Sequence, residues 1–280
     1  NQAVLNSLPK KNDLVLADKL IHHSMVQALA KGAASFKRYH HLDLTHLEAL
    51  LNANYMNYET VFVVTESVFS MDGDYPDLKK LVELKQRYPF ILILDEAHGT
   101  GVFGKTGAGL AEEMQVQDQV DIIIGTLGKS LASMGAYVLS NSSTIIDYLV
   151  NHAGEFIYST FLSPSQVGSA EVAMKILQSS QDEREYLQSI SKNFRKILNQ
   201  KNQEVNIFSS PIIPVFIDNP AKVLEVKNSL LQEGIIVGAV RPPTVPNNTS
   251  RLRISLHTGV TQKNIEKLNK TLSPWITSQL

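Results

Sequence analysis

The feature that most constrains the fold is a short apolar run that ends in an acidic residue. Phe90–Leu94 contains only apolar side chains and is followed directly by Asp95. Such a run predicts a fully buried strand, and open α/β sheets bind their ligands at the carboxyl ends of their strands. The sequence therefore puts a carboxylate where a ligand site is expected.

A second run of the same kind delivers a lysine to the same edge. Val120–Gly125 ends at Thr126 and leads to Lys129, 34 residues after Asp95. Together the two strand ends offer a carboxylate, the His98 imidazole, a hydroxyl and an amine. Pyridoxal 5'-phosphate (PLP) needs a lysine for its aldehyde and an acid opposite its ring nitrogen. The pattern therefore predicts a PLP site.

Two other motifs overlap this region. Gly99–Thr106 fits the phosphate-binding pattern G-x-x-x-x-G-K-[ST], and Asp95–His98 spells the DEAH box of some helicases. The order argues against nucleotide binding, because acids directly before the glycines would repel a triphosphate. A purely structural role for Asp95 and His98, satisfied by loop amides, is the other alternative, and the added lysine argues against it.

The composition excludes several classes of function. The chain has 280 residues, a net charge of −1 and no cysteine. Neither a nucleic acid nor a membrane partner is expected, and thiolate metal sites and disulfides are excluded. We expect no metal, no signal peptide and a cytoplasmic location. The start at Asn1, without methionine, suggests a processed or truncated product.

Apolar runs alternate with helical patterns through the first two thirds of the chain, which predicts parallel pairing with crossover helices in an α/β fold. The predicted strands are Leu14–Ala17, Val61–Val64, Ile91–Leu94, Ile122–Ile124 and Ala136–Leu139. The predicted helices are Leu42–Asn52, with Asp43 or Thr45 as cap, Leu78–Tyr88, Pro164–Gln178 and Asp182–Asn199. We expect a large domain over residues 1–180 and a small α+β domain over 181–280.

The motifs in combination resemble one family, the PLP-dependent α-oxoamine synthases, along the entire chain. They occur in the order and spacing of that family: Asp18-x-Leu20-x-His22-x-Ser24, Thr65–Asp74, Asp95–Gly101 and Gly125–Lys129. The resemblance implies a fold-type-I aminotransferase architecture, with a mostly parallel sheet in the large domain.

Within the family, Arg241–Pro246 followed by Arg251–Arg253 is similar to the branch in biotin biosynthesis. The resemblance implies an acyltransferase that condenses L-alanine with a pimeloyl thioester, releasing CO2 and a free thiol. The thiol carrier could be coenzyme A or a carrier protein. A sibling synthase such as glycine C-acetyltransferase, or an aminotransferase, remains an alternative.

The resemblance also implies roles for individual residues. Lys129 would hold PLP covalently and act as the base, while Asp95 would keep the pyridine nitrogen protonated. His98 would reach the ring's phenolic oxygen, Thr126 would bind the phosphate and Ser70 would contact the cofactor.

The remaining expected contacts concern the ring face and the substrate. His22 matches a catalytic histidine that stacks on the ring and contacts substrate, whereas His23 is incidental. Arg241 is expected to bind the substrate carboxylate through its two-pronged guanidinium, and Thr244 lies in the same loop. Three further charged residues are expected to form structural ion pairs: Glu96, Arg251 and Arg253.

A homodimer is implied as well. Tyr158–Thr160 followed by Pro164 resembles the segment that approaches the phosphate bound by the neighbouring subunit. Family members carry an upstream segment that helps to seat the cofactor, and we expect this chain to lack it. An inactive chain that only dimerises is therefore the alternative outside enzymes.

Overall fold

The computed structural model describes residues 1–200, 208–217 and 219–276, and the chain divides into two compact units. The first unit comprises Asn1–Phe69 and Tyr75–Gln181, and the second comprises Ser70–Asp74 and Asp182–Leu280. The sequence predicts one boundary after residue 180, whereas the structure also assigns Ser70–Asp74 to the second unit. No helix among the described residues is long and apolar enough to cross a membrane.

The first unit is built on one six-stranded sheet in the order β2-β1-β3-β4-β5-β6. Its strands are β1 (Leu14–Asp18), β2 (Ser35–Tyr39), β3 (Val61–Glu66), β4 (Ile91–Asp95), β5 (Ile122–Thr126) and β6 (Ala136–Leu139). Its helices are α1 (Gln2–Ser7), α2 (His23–Lys31), α3 (Leu44–Asn54), α4 (Leu78–Glu83), α5 (Leu110–Glu113), α6 (Ser143–His152), α7 (Gly154–Ile157) and α8 (Pro164–Ser179).

The central strands pair in parallel, as the apolar runs predict. Every residue of β1 and β3 is buried, and β4 is buried from Leu92 onwards. Strands covered on both faces need apolar side chains at successive positions, which explains why these runs do not alternate with polar residues. The core beneath the site includes Val64, Ile93 and Ile124.

Two features of this sheet differ from the expectation. β6 pairs with β5 in antiparallel orientation, because only residues 127–135 connect them and a parallel crossover needs a dozen residues or more. The sequence prediction also missed β2. The first four residues of this edge strand are exposed, so it lacks the apolar run that identifies the others.

Side-chain caps fix where several helices begin. The Asp43 carboxylate accepts the His46 backbone N–H at 2.9 Å, which confirms Asp43 as the cap of α3. Ser163 and Gln166 form a capping box at the start of α8, directly before Pro164. The predicted long helix from Pro164 is thereby confirmed.

The second unit has α+β architecture. A three-stranded antiparallel sheet in the order β7-β9-β8 packs with helices around an apolar core that includes Phe194, Leu252 and Ile265. Its elements are α9 (Gln181–Asn199), β7 (Ile212–Phe216), α10 (Pro220–Gln232), β8 (Gly238–Val240), β9 (Arg251–Ser255) and α11 (Gln262–Ile276).

Candidate functional site

A cavity of about 220 Å³ lies at the carboxyl ends of β3, β4 and β5 in the first unit. Five of the residues singled out from the sequence line it: His22, Asp95, His98, Thr126 and Lys129. The parallel register brings them together, because Asp95 pairs with Glu66 on one side and with Ile124 on the other. A carboxylate, an amine, a hydroxyl and two imidazoles therefore face one space.

Asp95 is buried and held from two directions. Its Oδ1 accepts the Ala97 backbone N–H at 2.9 Å, and its Oδ2 accepts the side-chain amide of Asn1 at 2.8 Å. These contacts fix the carboxylate at the end of β4, on the wall of the cavity. A buried carboxylate of this kind favours a cationic partner in the cavity.

Lys129 lies in a loop that Thr126 closes. The Thr126 hydroxyl donates to the Gly135 carbonyl at 3.1 Å and accepts the Gly128 backbone N–H at 3.2 Å. The Leu127 backbone N–H also donates to Gly135, at 2.9 Å. These bonds tie the loop ends together, so the lysine is presented on a short, constrained segment.

Gly125, one residue before Thr126, is required by the packing of this corner. A Cβ atom there would lie 2.1 Å from the Tyr137 ring, which is too close for any real contact. The absence of a side chain leaves room for the Tyr137 ring at this corner, and Gly125 itself lines the cavity.

His22 caps α2 and is one of the residues that line the cavity. Its Nδ1 lies 2.8 Å from the Ser24 hydroxyl and 3.3 Å from the Ser24 backbone N–H. The cap contact restricts how the imidazole can rotate. His23, treated as incidental, is not among the residues that line the cavity.

The turn after Asp95 positions the half-buried His98. The Gly99 and Thr100 backbone N–H groups both donate to the Glu96 carbonyl, at 3.0 and 2.9 Å. The buried Glu96 side chain accepts the N–H groups of Leu110 and Ala111, so its structural role rests on backbone hydrogen bonds instead of the expected ion pair. Burial raises the pKa of Glu96 to about 7.

In the glycine-rich loop from Gly99 to Thr106, carboxylates of the chain accept the backbone N–H groups that a phosphate would need. The Gly104 N–H donates to Glu113 at 2.9 Å, and the Thr106 N–H donates to Glu112 at 3.0 Å. Carboxylates thus occupy the amides that a nucleotide phosphate would need. The local geometry agrees with the motif order in arguing against nucleotide binding.

Glu66 is a cavity residue that was not predicted from the sequence. It is the last residue of β3, and its Oε1 accepts the His22 backbone N–H. Burial, followed by the charge of Asp95, raises the pKa of Glu66 to about 8. Its pairing with Asp95 is the signal that would have identified it, and that pairing follows from the register of two strands.

Three predicted site residues lie in the second unit, where Arg241 and Thr244 form an exposed turn. The Ser70 carbonyl accepts Arg253 Nε at 2.5 Å, so Arg253 has a backbone partner. Arg251 forms the expected ion pair, with Asp72. The roles of Ser70, Arg241 and Thr244 in binding cofactor and substrate stay predictions.

Comparison with protein families gives one match along almost the whole chain. The model of the aminotransferase class I and II family matches residues 1–272. The 8-amino-7-oxononanoate synthase of Chlorobaculum parvum is 40% identical over 272 residues, which cover 97% of this chain and 69% of that protein. A putative 8-amino-7-oxononanoate synthase of Pasteurella multocida is 42% identical over 263 residues, which cover 91% of this chain and 66% of that protein. The chain thus spans about two thirds of the length of these relatives.

Solved structures give the same fold. A serine palmitoyltransferase from S. paucimobilis with bound PLP–myriocin aldimine has a TM-score of 0.91 at 26% identity, covering 98% of this chain and 69% of that one. An 8-amino-7-oxononanoate synthase from Francisella tularensis has a TM-score of 0.87 at 30% identity, covering 99% and 79%. The fold-type-I architecture is therefore confirmed, and PLP is the cofactor that the match indicates.

Proposed function

We infer that this chain, which belongs to the class I and II aminotransferase family, condenses L-alanine with a pimeloyl thioester to give 8-amino-7-oxononanoate, CO2 and a free thiol. The observation that carries the PLP chemistry of this inference is the cavity that Asp95 and Lys129 both line, and the curated relatives support its substrates. The coarser statement, a PLP-dependent acyltransferase, follows from the family and the named relatives.

The residues of the cavity fit PLP. Lys129 supplies the amine that a PLP aldehyde requires, and Asp95 supplies a fixed anion for a pyridinium nitrogen. Ala97, Gly125 and Ala136 also line the cavity, and their small side chains leave room for a flat ring. The donor set and the shape of the wall are both what a pyridinium ring needs.

Each polar group then has a defined task. PLP, when bound, supplies a sink for the electrons of a carbanion next to the substrate amino group. Lys129 would anchor the cofactor and would take the proton from the substrate Cα. Asp95 would keep the ring nitrogen protonated, His22 would pack against the ring, and His98 would donate a hydrogen bond to it.

Arg241 and Thr244 are the residues proposed to recognise the substrate. Arg241 offers a planar pair of donors suited to a carboxylate, and the turn that it begins includes Thr244. The names of the curated relatives support the 8-amino-7-oxononanoate product, and with it alanine and a pimeloyl thioester as substrates.

Thioester-dependent CO2 release tests this function. We expect the 280-residue chain, supplied with PLP, to release CO2 from carboxyl-labelled L-alanine only when pimeloyl-CoA or a pimeloyl-carrier protein is present. Serine with palmitoyl-CoA and glycine with acetyl-CoA are the matched controls. CO2 release with either control pair and none with alanine would reject the proposed substrates.

A sibling synthase is the second candidate. The serine palmitoyltransferase from S. paucimobilis has a TM-score of 0.91, against 0.87 for the Francisella tularensis enzyme. The fold is therefore compatible with serine and a longer acyl chain. Sequence identity favours the first candidate, because it is 26% to that transferase and 40% to the Chlorobaculum parvum synthase.

We further propose that the chain acts as a homodimer. Large apolar side chains are exposed between α7 and α8, including Tyr158 at 89% and Phe161 at 86%. A solvent-exposed apolar patch of this kind is typical of a protein interface. Thr160, which lines a neighbouring cavity of about 610 Å³, would then reach the phosphate bound by the second subunit.

Thr160→Val tests the shared site. We expect cofactor affinity to fall roughly 10- to 150-fold, as for one lost hydrogen bond to a charged group. We also expect PLP to raise the dimer fraction of the unmodified chain in sedimentation. Thr106→Val, at an exposed threonine of the glycine-rich loop, serves as the control and should leave both measurements unchanged. A monomer that binds PLP with unchanged affinity would rule out a shared site.

A further inference from the structure

Glu66 and Asp95 place two carboxyl groups side by side on one wall of the cavity. They are partners in the parallel register of β3 and β4, and both line the same space. Glu66 is 4% exposed and Asp95 is 5% exposed. Two neighbouring carboxylates with so little access to water cannot both be charged without a large electrostatic cost.

The hydrogen bonds of the pair indicate which member carries the charge. Asp95 accepts one bond at each oxygen, from the Ala97 N–H and from the Asn1 amide. Glu66 accepts the His22 N–H at Oε1. One accepted bond at a single oxygen suits a carboxylic acid, whose carbonyl oxygen accepts and whose hydroxyl donates.

The charges that face Glu66 act in both directions. Asp95 on β4 and Asp18 on β1 disfavour a second negative charge, whereas Lys129 and the His22 N–H favour it. Burial is the largest contribution, and the balance raises the pKa of Glu66 to about 8. The electrostatics therefore agree with the geometry.

We propose that Glu66 is a positioning residue that works as a neutral carboxylic acid, whose carbonyl oxygen fixes the backbone of His22 and which leaves Asp95 as the negative member of the pair. The catalytic meaning of this role rests on the proposed function. The pair then carries one negative charge instead of two. That charge, on Asp95, matches the single positive charge of a pyridinium ring. Because Glu66 holds the His22 backbone, it also fixes the position from which the His22 side chain extends.

The protonation state can be tested without cofactor or substrate. A neutral Glu66 binds a proton that the unfolded chain releases, because its pKa rises from 4.5 to about 8 on folding. Its contribution to stability is therefore complete below about pH 4.5 and is lost as pH rises through about 8. Glu66→Gln stays neutral at every pH. We therefore expect its melting temperature to increase relative to that of the unmodified chain as pH rises from 4.5 to about 8.

Glu171→Gln is the matched control, because Glu171 is exposed and pairs only with Lys175 among its described ion pairs. It should leave the pH dependence unchanged. If Glu66→Gln and Glu171→Gln give the same pH profile as the unmodified chain, Glu66 is charged and the proposal is wrong.

A second measurement covers the case in which Glu66→Gln does not fold. Among the glutamates that the structure describes, titration of ¹³C-labelled carboxyl carbons in the unmodified chain should reveal two groups that titrate above about pH 6. Those two are Glu66 and Glu96, and Glu96→Gln should remove only one of them. Finding no such group in the Glu96→Gln chain would overturn the proposal.

The positioning role needs a readout of its own. Glu66→Ala removes the acceptor for the His22 N–H, and we expect PLP affinity, read from the absorbance of the bound cofactor, to fall roughly tenfold. Glu66→Gln keeps an acceptor oxygen and should restore most of that affinity. Equal losses in both variants would contradict the role. Failure of alanine condensation with these binding results intact would reject only the proposed function.

Discussion

Lys129→Ala is expected to lower thioester-dependent CO2 release from alanine by about 10²- to 10⁴-fold, the range for loss of a general base. The lysine is the amine in the cavity that can both anchor the cofactor and take a proton from the substrate. Covalent retention of PLP should also be lost, so the cofactor should leave on gel filtration. Rate assays and the absorbance of the eluted protein measure the two effects.

Lys105→Ala is the control for Lys129→Ala. Lys105 is the lysine of the glycine-rich loop and would be the important one if that loop bound a phosphate. We expect its replacement to leave both the rate and cofactor retention unchanged. A large rate loss from Lys105→Ala, with Lys129→Ala near normal, would move the site to the glycine-rich loop.

Asp95→Asn should reduce turnover strongly while leaving the fold intact. Loss of one preorganised electrostatic partner costs roughly 3–4 kcal/mol of transition-state stabilisation, or about 10²- to 10³-fold in rate. The fold should tolerate the change, because the carbonyl oxygen of the introduced amide can still accept the Ala97 N–H. The Asn1 amide can turn its oxygen, which has no partner, toward the new NH2 group.

The measurements for Asp95→Asn are kcat and the thermal unfolding midpoint. Asp118→Asn, at an exposed position in the turn before β5, controls for the loss of a carboxylate and should change neither. Near-normal kcat in Asp95→Asn would show that the ring nitrogen does not depend on this charge.

Much of the site could be predicted from sequence because it depends on local rules. A fully buried parallel strand has an unbroken apolar run, so the ends of β4 and β5 can be recognised in the sequence. Asp95 and Thr126 lie at those ends. Lys129 follows three residues later and is carried to the same edge. The chain order of these elements was enough to bring the three side chains to one cavity.

The remaining features depend on pairing between distant segments. The role of Glu66 needs the register of β3 with β4, and the direction of β6 depends on a short loop. β2 lacked an apolar run because it is an exposed edge. Ion pairing of Glu96 was expected from its charge, but backbone amides across a loop satisfy it. Such partners are separated in sequence and leave no periodic pattern.

Reductive trapping of the cofactor tests the central claim most directly. Borohydride reduces the carbon–nitrogen double bond between a lysine and PLP to a stable single bond. Peptide mapping then identifies the labelled residue. We predict a pyridoxyl group on Lys129 in the unmodified chain and none in Lys129→Ala. A label on Lys105, or one that persists in Lys129→Ala, would contradict the assignment of the site.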